Sequence, residues 1–301
     1  MILPISVVLC SYNGARFIEE QVLSILVQTY PIKELIVVDD ASSDDTCAII
    51  EQLITKDGRI RLYCNPVNLG FSANFEKALL LADSAIIAIA DQDDYWHPAK
   101  LEKMMGQWRE DVPLIYCDSV RFKEVLPVNP VPNKKNNKLQ GDDPKCIAMF
   151  NTISGHAMLI RKSLLAKALP IPANIYYDWW LAMVAMCNGS VQFLPEILVY
   201  QRAHDQNVTI QQLTEKELRK QFRQMLVKHL EAFSTVKGMK PGDVKFFQQL
   251  EYYWKEMLNK GRSLGLFLFL LKHRNILYAY KKRKLPFISH LKHSFLFAFS
   301  R

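Results

Sequence analysis

Short apolar runs alternate with amphipathic stretches through the first hundred residues, and each run breaks off in polar residues. Ile5-Ser-Val-Val-Leu-Cys10 has the length and composition of a buried strand, and Ser11-Tyr12-Asn13-Gly14 turns the chain after it. Ile18, Val22, Ile25 and Thr29 recur at 4-3-4 spacing, one face of a helix that Pro31 stops. Glu34-Leu-Ile-Val-Val-Asp39-Asp40 predicts a second strand ending in acids, and 42–46 supplies N-cap chemistry for a helix over 46–53. A third strand over 60–64, the loop Asn65-Pro-Val-Asn68-Leu-Gly70, a helix over 72–82 and a fourth strand over 85–90 complete the series. Strands alternating with helices predict a parallel sheet with right-handed crossovers. Ligands of such sheets bind beyond the carboxyl ends of the strands. That rim collects Ser11-Tyr12-Asn13, Asp39-Asp40 and Asp91-Gln-Asp93.

Beyond residue 105 the pattern loosens. Leu114-Ile-Tyr-Cys-Asp118 and the stretch 155–161 are strand-like, and the Pro-, Asn- and Lys-rich segment 124–145 reads as a long mobile loop. Ile175-Tyr-Tyr-Asp178-Trp179-Trp180 opens an apolar helix running to about 187. A strand over 191–194 and the segment 198–204 follow. From 211 onward the pattern is helical and basic. There Phe287, Leu291, Phe295 and Phe299 recur every four residues beside Lys292, His293 and Arg301.

Charge sharpens this division. Residues 1–210 hold 19 Lys and Arg against 24 Asp and Glu, a net of −5; residues 211–301 hold 19 against 6, a net of +13, which together make the overall +8. We therefore expect an acidic unit over 1–210, with halves at 1–105 and 106–210, and a basic helical extension over 211–301. An amphipathic basic helix suits the interface of an anionic membrane, with packing on the acidic unit as the alternative. Nucleic acid is not an expected partner, because no recognition motif interleaves with the basic residues. The longest apolar run, 264–271, is far short of the roughly 18 residues needed to span a bilayer. The start has no basic segment of the kind that opens a signal peptide, and the six scattered cysteines form no CxxC pair. The expected setting is thus the cytoplasm, at the inner face of its membrane, with buried free thiols.

The chemistry is concentrated where the fourth strand ends. Asp91-Gln-Asp93-Asp94 places three carboxylates within four residues, and such a cluster costs stability unless a cation or hydrogen-bond donors compensate it. Hard oxygen ligands suit Mg2+ or Mn2+ shared with substrate phosphates. Acids capping the following helix are the plainer alternative. No GxGxxG and no GxxxxGK[ST] occurs at the first turn, so dinucleotide and P-loop readings lose their main signature.

Six segments, in order, carry a family resemblance: Val7-Val-Leu-Cys-Ser11-Tyr-Asn13, Ile36-Val-Val-Asp-Asp40-Ala-Ser42-Ser-Asp44, Asn68-Leu-Gly70, Asp91-Gln-Asp93-Asp94, Asp178-Trp179-Trp180 and Tyr200-Gln-Arg202-Ala-His204. The chain resembles a family 2 glycosyltransferase over roughly residues 3–210. The resemblance implies the GT-A fold: a Rossmann-like, mostly parallel α/β sheet flanked by helices. It implies an inverting, metal-dependent transfer of one sugar from a nucleotide-diphosphate donor to a cell-surface saccharide or lipid-linked precursor. Ser11, Tyr12, Asn13, Asp40, Asn68, Gly70, Asp91 and Asp93 would hold the nucleotide sugar, and Asp93 with His204 the Mn2+ or Mg2+. Asp178 would be the general base, with burial beside the tryptophans raising its pKa. Trp179, Trp180 and His156 would face the acceptor. The Asp-Trp-Trp and Gly155-His156 segments resemble rhamnosyltransferase-like members, so dTDP-rhamnose competes with a UDP-hexose as donor. Ser72-Ala73-Asn74 departs from the family's Ala-Arg-Asn, and Tyr177 stands where His is usual, which loosens any inference about the donor. A catalytically idle saccharide- or nucleotide-binding module is the alternative, opposed by intact Asp93, Asp178 and His204.

Overall fold

The computed structural model describes residues 3–132, 136–204 and 214–299. Within it, β1 (Ile5–Ser11), α1 (Ile18–Leu26), β2 (Glu34–Asp39), α2 (Thr46–Ile54), β3 (Ile60–Cys64), α3 (Phe71–Leu81) and β4 (Ile86–Asp91) realise the expected alternation. A two-residue β5 (Tyr95–Trp96), α4 (Lys100–Gln107), β6 (Leu114–Phe122), β7 (Met158–Arg161), α5 (Leu165–Ala168), α6 (Tyr177–Cys187) and β8 (Val191–Arg202) follow. The basic segment folds into α7 (Glu215–Phe233), α8 (Pro241–Lys260), α9 (Leu264–Lys272), α10 (Arg274–Leu277) and α11 (Pro286–Phe299).

The described strands make one sheet in the order β3-β2-β1-β4-β7-β6-β8-β5. Strands β3, β2, β1 and β4 are mutually parallel, and the near-continuous apolar sequences of β1, β2 and β4 fit burial on both faces, while β3 is a partly exposed edge. One core lies where Ile18, Val22 and Ile25 of α1 meet Val7 and Leu9 of β1; another lies on the opposite face, against Val8, Phe75 and Leu79.

Several finer expectations need correction. The sheet is mostly parallel, as expected, but β7 runs antiparallel between β4 and β6, and β5 runs antiparallel to β8. A parallel neighbour needs a crossover, usually a helix, whereas β7 is reached from β6 through a long loop that leaves its direction free. The two segments around 191–204 are one strand, β8, whose pairing with β6 shifts register beside Cys117, Asp118 and Ser119. Residues 155–157 form a 3-10 turn rather than strand. The cap chemistry expected for α2 comes from Asp44, whose Oδ1 accepts from the Thr46 N–H (3.1 Å), while Asp45 makes no side-chain cap bond. Cys64 is exposed, its Sγ 3.3 Å from that of Cys47.

The basic helices pack on the catalytic unit. Leu226, Leu230 and Phe233 of α7 and Phe247, Leu250 and Trp254 of α8 share a continuous core with Trp179, Trp180 and Leu181 of α6. The expected boundary near 210 lies outside the described residues, as does Arg301. No described helix is long and apolar enough to cross a membrane.

Candidate active site

The ends of β1 and β2 are bound to each other by their own polar groups. Asp39 is buried; its carboxylate accepts from the hydroxyls of Ser11 (2.8 Å) and Ser42 (2.6 Å) and from the Ser42 N–H. Ser42 Oγ in turn accepts from the Asn13 N–H, and Asn13 Oδ1 accepts from the Ser43 N–H. Asn13 and Ala41 adopt positive φ, 48° and 63°, which non-glycine residues hold only where surrounding bonds over-determine them. The result is a rigid rim from which the Tyr12 ring stands out, half exposed.

Asp40 organises the next loop. One oxygen accepts from Asn65 Nδ2 (2.8 Å) and the Leu69 N–H (2.7 Å), the other from the Gly70 N–H (2.9 Å), while Asn68 Nδ2 donates to the Asp40 carbonyl. Gly70 sits at φ 83°, a conformation that suits glycine, and lets its N–H turn toward Asp40. Ser11 and Asp40 were expected on the nucleotide; both are buried and already bonded within the protein. Within the protein, Ser11 donates to Asp39 and Asp40 holds the Asn68–Gly70 loop, and both the hydroxyl and the carboxylate oxygens keep acceptor capacity beyond these bonds.

Gln92, which sequence reasoning passed over, links the rim to the acid cluster. Its Oε1 accepts from the Tyr12 N–H (2.8 Å) and its Nε2 donates to the Tyr12 carbonyl (3.1 Å), as a neighbouring strand would. A Cβ on Gly14 would fall 2.3 Å from Gln92 Oε1, so a side chain there would push the Gln92 amide from its place against Tyr12. Gln92→Ala should weaken nucleotide affinity about fivefold through loosening of Tyr12, with kcat within about twofold, as one net hydrogen bond is worth about 1 kcal/mol. Isothermal calorimetry together with steady-state rates separates the two effects, and an unchanged affinity would contradict the linkage.

The acids themselves divide into two groups. Asp93 Oδ2 lies 2.7 Å from His204 Nε2, both partly accessible. His204 arrives there because Arg202 pairs with Glu20 of α1 and lies over the rings of Phe17 (4.8 Å) and Phe122 (4.5 Å), while His204 packs on Phe17. Burial, then the Asp91 charge, raises the Asp93 pKa against the pull of His204. Asp91 and Asp94 instead converge on His156, whose Nδ1 is 3.4 Å from Asp91 Oδ2 and 3.5 Å from Asp94 Oδ2.

Asp94 is sealed, and neither of its oxygens has a hydrogen-bond partner; His156 Nε2 is likewise buried and unpartnered. Burial drives the Asp94 pKa up; burial alone would lower His156, but Asp94 and Asp91 override it and raise the imidazole. Beneath them Lys100 is fully buried, donating to the His156 carbonyl (2.8 Å) with Nζ 3.3 Å from the centroid of the Trp96 ring. Burial lowers its pKa to about 7. Nothing in the pattern distinguished Lys100 from a surface lysine opening a helix. The expected acceptor contact of His156 gives way to this role beneath the acids, since the imidazole is buried.

Asp178 lies in the first turn of α6, half-buried, its Oδ1 accepting from the Trp179 N–H at 2.7 Å. Burial, with a smaller contribution from Asp91, lifts its pKa to about 6 against the backbone N–H groups of Trp179 and Gly155 and the charge of His156. The preceding Tyr177 stacks on Phe75 (4.0 Å between centroids), and its hydroxyl fills the space a Cβ on Gly155 would need. Trp179 and Trp180 are corrections. Both indoles are buried, donating to the carbonyls of Ile147 and Ala168 at 2.7 Å, so neither ring presents a face to a sugar.

The donor set fits a divalent cation: at a strand end, Asp93 and His204 combine a carboxylate and an imidazole with partial access from outside. Ligand atoms of Asp91, Asp94 and His156 also lie within 4.8 Å of one another. We favour Asp93 and His204, because Asp94 is closed off by protein.

A sequence profile described as Glycosyl transferase family 2 matches residues 6–167. The UDP-Glc:alpha-D-GlcNAc-diphosphoundecaprenol beta-1,3-glucosyltransferase WfgD of Escherichia coli is 39% identical over 102 residues, covering 34% of this chain and 40% of that protein. The chain spans less than two thirds of the length of the curated relatives that match it first. Among solved structures, S. aureus TarS 1-349 in complex with UDP-GlcNAc superimposes with a TM-score of 0.62 at 17% identity, covering 98% of this chain and 82% of that one. The mannosyltransferase PcManGT from Pyrobaculum calidifontis, in complex with GDP-Man and Mn2+, superimposes at 0.58 and 16%, covering 97% and 79%. These likenesses carry the GT-A fold, and with the profile spanning more than half of its length the chain belongs to glycosyl transferase family 2.

Proposed function

We propose that the protein transfers a sugar, with inversion, from a nucleotide-diphosphate donor to a saccharide carried on a lipid. The observation that carries this reading is Asp178: a half-buried carboxylate in the first turn of α6 with its pKa raised to about 6, within electrostatic reach of Asp91 and His156. Inversion needs a base opposite the leaving group, and a carboxylate with this pKa is largely ionised at neutral pH yet basic enough to accept a hydroxyl proton. It takes that proton as the acceptor oxygen attacks the anomeric carbon and the bond to the diphosphate breaks.

Tyr12, held by Gln92, offers a face for the base, and Asp40 holds the Asn68–Gly70 loop. Asp93 and His204 would hold Mn2+ or Mg2+, which when bound neutralises charge developing on the departing diphosphate. Asp91, with His156 behind it, is left to orient the donor. A cleft of about 880 Å3, bounded by Leu69, Phe71, Leu80, Ile171 and Tyr176, reaches within two residues of Asp178 and gives the acceptor a mostly apolar approach. The donor and lipid-linked acceptor in the name of the E. coli relative favour a UDP-hexose over dTDP-rhamnose.

Nucleotide release across UDP-, dTDP- and GDP-sugars, with and without Mn2+, tests this. Release is expected from a UDP-hexose when metal is present, and Asp93→Ala should lower metal-dependent nucleotide affinity at least tenfold by calorimetry. Equal binding in EDTA would remove the cation, and no release from any donor would favour an idle binding module.

A further inference from the structure

α11 leaves large apolar side chains on its outer side. Its most buried positions are His290, Ser294 and Ala298, and Phe297 and Phe299 pack partly buried against the core, while Phe287, Ile288, Leu291 and Phe295 face outward, with Phe287 and Ile288 61% and 60% exposed. On α9, packed against it, Leu264 and Leu268 are also exposed. Soluble proteins rarely leave such large apolar side chains contiguous without something to cover them.

Beside this ridge lies a concavity of about 450 Å3, bounded by Asn137, Asn275, Lys281, Lys282, Arg283 and His290. Its floor is tied down, since Asn137 bonds through its N–H and Nδ2 to the carbonyls of Tyr280 and Ala279. The basic groups lack acidic counterparts in their own segment: residues 258–301 contain ten Lys and Arg and no Asp or Glu. Arg283 is held by a neutral partner, His293 Nε2 at 3.1 Å, and the guanidinium of Arg274 lies over the Phe287 ring at 5.7 Å. Burial and then nearby Arg283 depress the pKa of His290, with Arg274 adding to the effect.

We infer that the Asn275–Lys282–Arg283–His290 concavity is a headgroup site for an anionic phospholipid, with Phe287, Ile288 and Leu291 entering the adjoining acyl layer. A soluble anion would account for the cations but leave the apolar ridge unexplained. A neutral membrane would account for the ridge alone. The two features meet at Pro286, so a single ligand with a charged head and an apolar body satisfies both. This site extends the proposed use of a lipid-borne acceptor but does not depend on the chemistry at Asp178.

The test uses the full chain and sedimentation with vesicles of phosphatidylcholine alone or mixed with phosphatidylglycerol. Binding is expected only with phosphatidylglycerol. Lys282→Gln/Arg283→Gln should weaken it roughly 30-fold, taking about 1 kcal/mol per basic residue, while the exposed pair Lys56→Gln/Lys167→Gln changes it little. Phe287→Ser/Ile288→Ser should also release the protein, and excess glycerol phosphate should not. Equal binding to phosphatidylcholine, equal losses from both charge pairs, or displacement by glycerol phosphate with the Phe287→Ser/Ile288→Ser protein unaffected would each overturn the site. Nucleotide release by each variant is measured in parallel. Lost vesicle binding with intact release concerns this site alone, and lost release with intact binding concerns the proposed transfer.

Discussion

Asp178→Asn is expected to lower kcat by about 10^2 to 10^4, the usual contribution of a positioned general base, while leaving nucleotide affinity unchanged. The substitution is conservative, because the Asn Oδ1 can still accept the Trp179 N–H that the carboxylate now accepts. It removes the ability to take a proton and little else. The wild-type pH profile carries the same signature. Asp178 works as the carboxylate, its pKa is about 6, and so kcat should fall about tenfold per pH unit below that value and level off above it.

Stability should move the other way. The folded pKa lies above the ordinary aspartate value of 3.8, so ionisation penalises the folded state from about pH 4 upward and in full above 6. Asp178→Asn should therefore raise stability by up to about 3 kcal/mol at pH 7 and leave it nearly unchanged at pH 3. A variant that is inactive and more stable marks a residue kept for chemistry. Unchanged turnover would remove Asp178 from the mechanism.

The second large effect concerns His229, in the extension rather than the sheet. Its Nε2 accepts from the Tyr176 N–H at 3.0 Å, its Nδ1 lies 2.9 Å from the Met225 carbonyl, and its ring packs on Trp179 at 4.8 Å. Both nitrogens are committed to the neutral form, and burial lowers the pKa to about 4. The unfolded chain takes up a proton near pH 6.5, whereas the folded chain resists until about 4. The contribution of this residue is thus fully present above 6.5 and lost as pH falls between the two, by about 3 kcal/mol. Urea midpoints of wild type and His229→Gln between pH 4.5 and 7 check this. The difference between the two proteins should shrink on acidification, since only the wild type has this proton to gain, and parallel curves would refute it. Because Tyr176 precedes the first turn of α6, the variant should also lose kcat while retaining the acid limb near pH 6.

Gln92, Lys100 and His229 share a reason for having escaped the sequence reading. Each is a common polar residue whose partner lies far along the chain: Tyr12 is 80 residues from Gln92, the His156 carbonyl 56 from Lys100, and Tyr176 53 from His229. Periodicity and motif spacing report local structure and cannot see such pairs. The tryptophans show the converse. Adjacent aromatics after an acid are compatible with either a sugar platform or a core, and only the carbonyls of Ile147 and Ala168 decide for the core.

The sequence by itself determined the parallel half of the sheet, because strands buried on both faces are continuous apolar runs and the helices between them keep a single stripe. It also determined that the polar strand ends share one rim, and hence which acids could meet a diphosphate. The tertiary structure alone decided how those acids divide, with Asp93 beside His204 and Asp91 and Asp94 around His156, since that choice rests on which distant histidine each one meets. It also decided the direction of β7 and the outward turn of Phe287 and Phe295 on α11. A period of four residues shows that a helix has an apolar face, but the packing around it determines whether that face is buried.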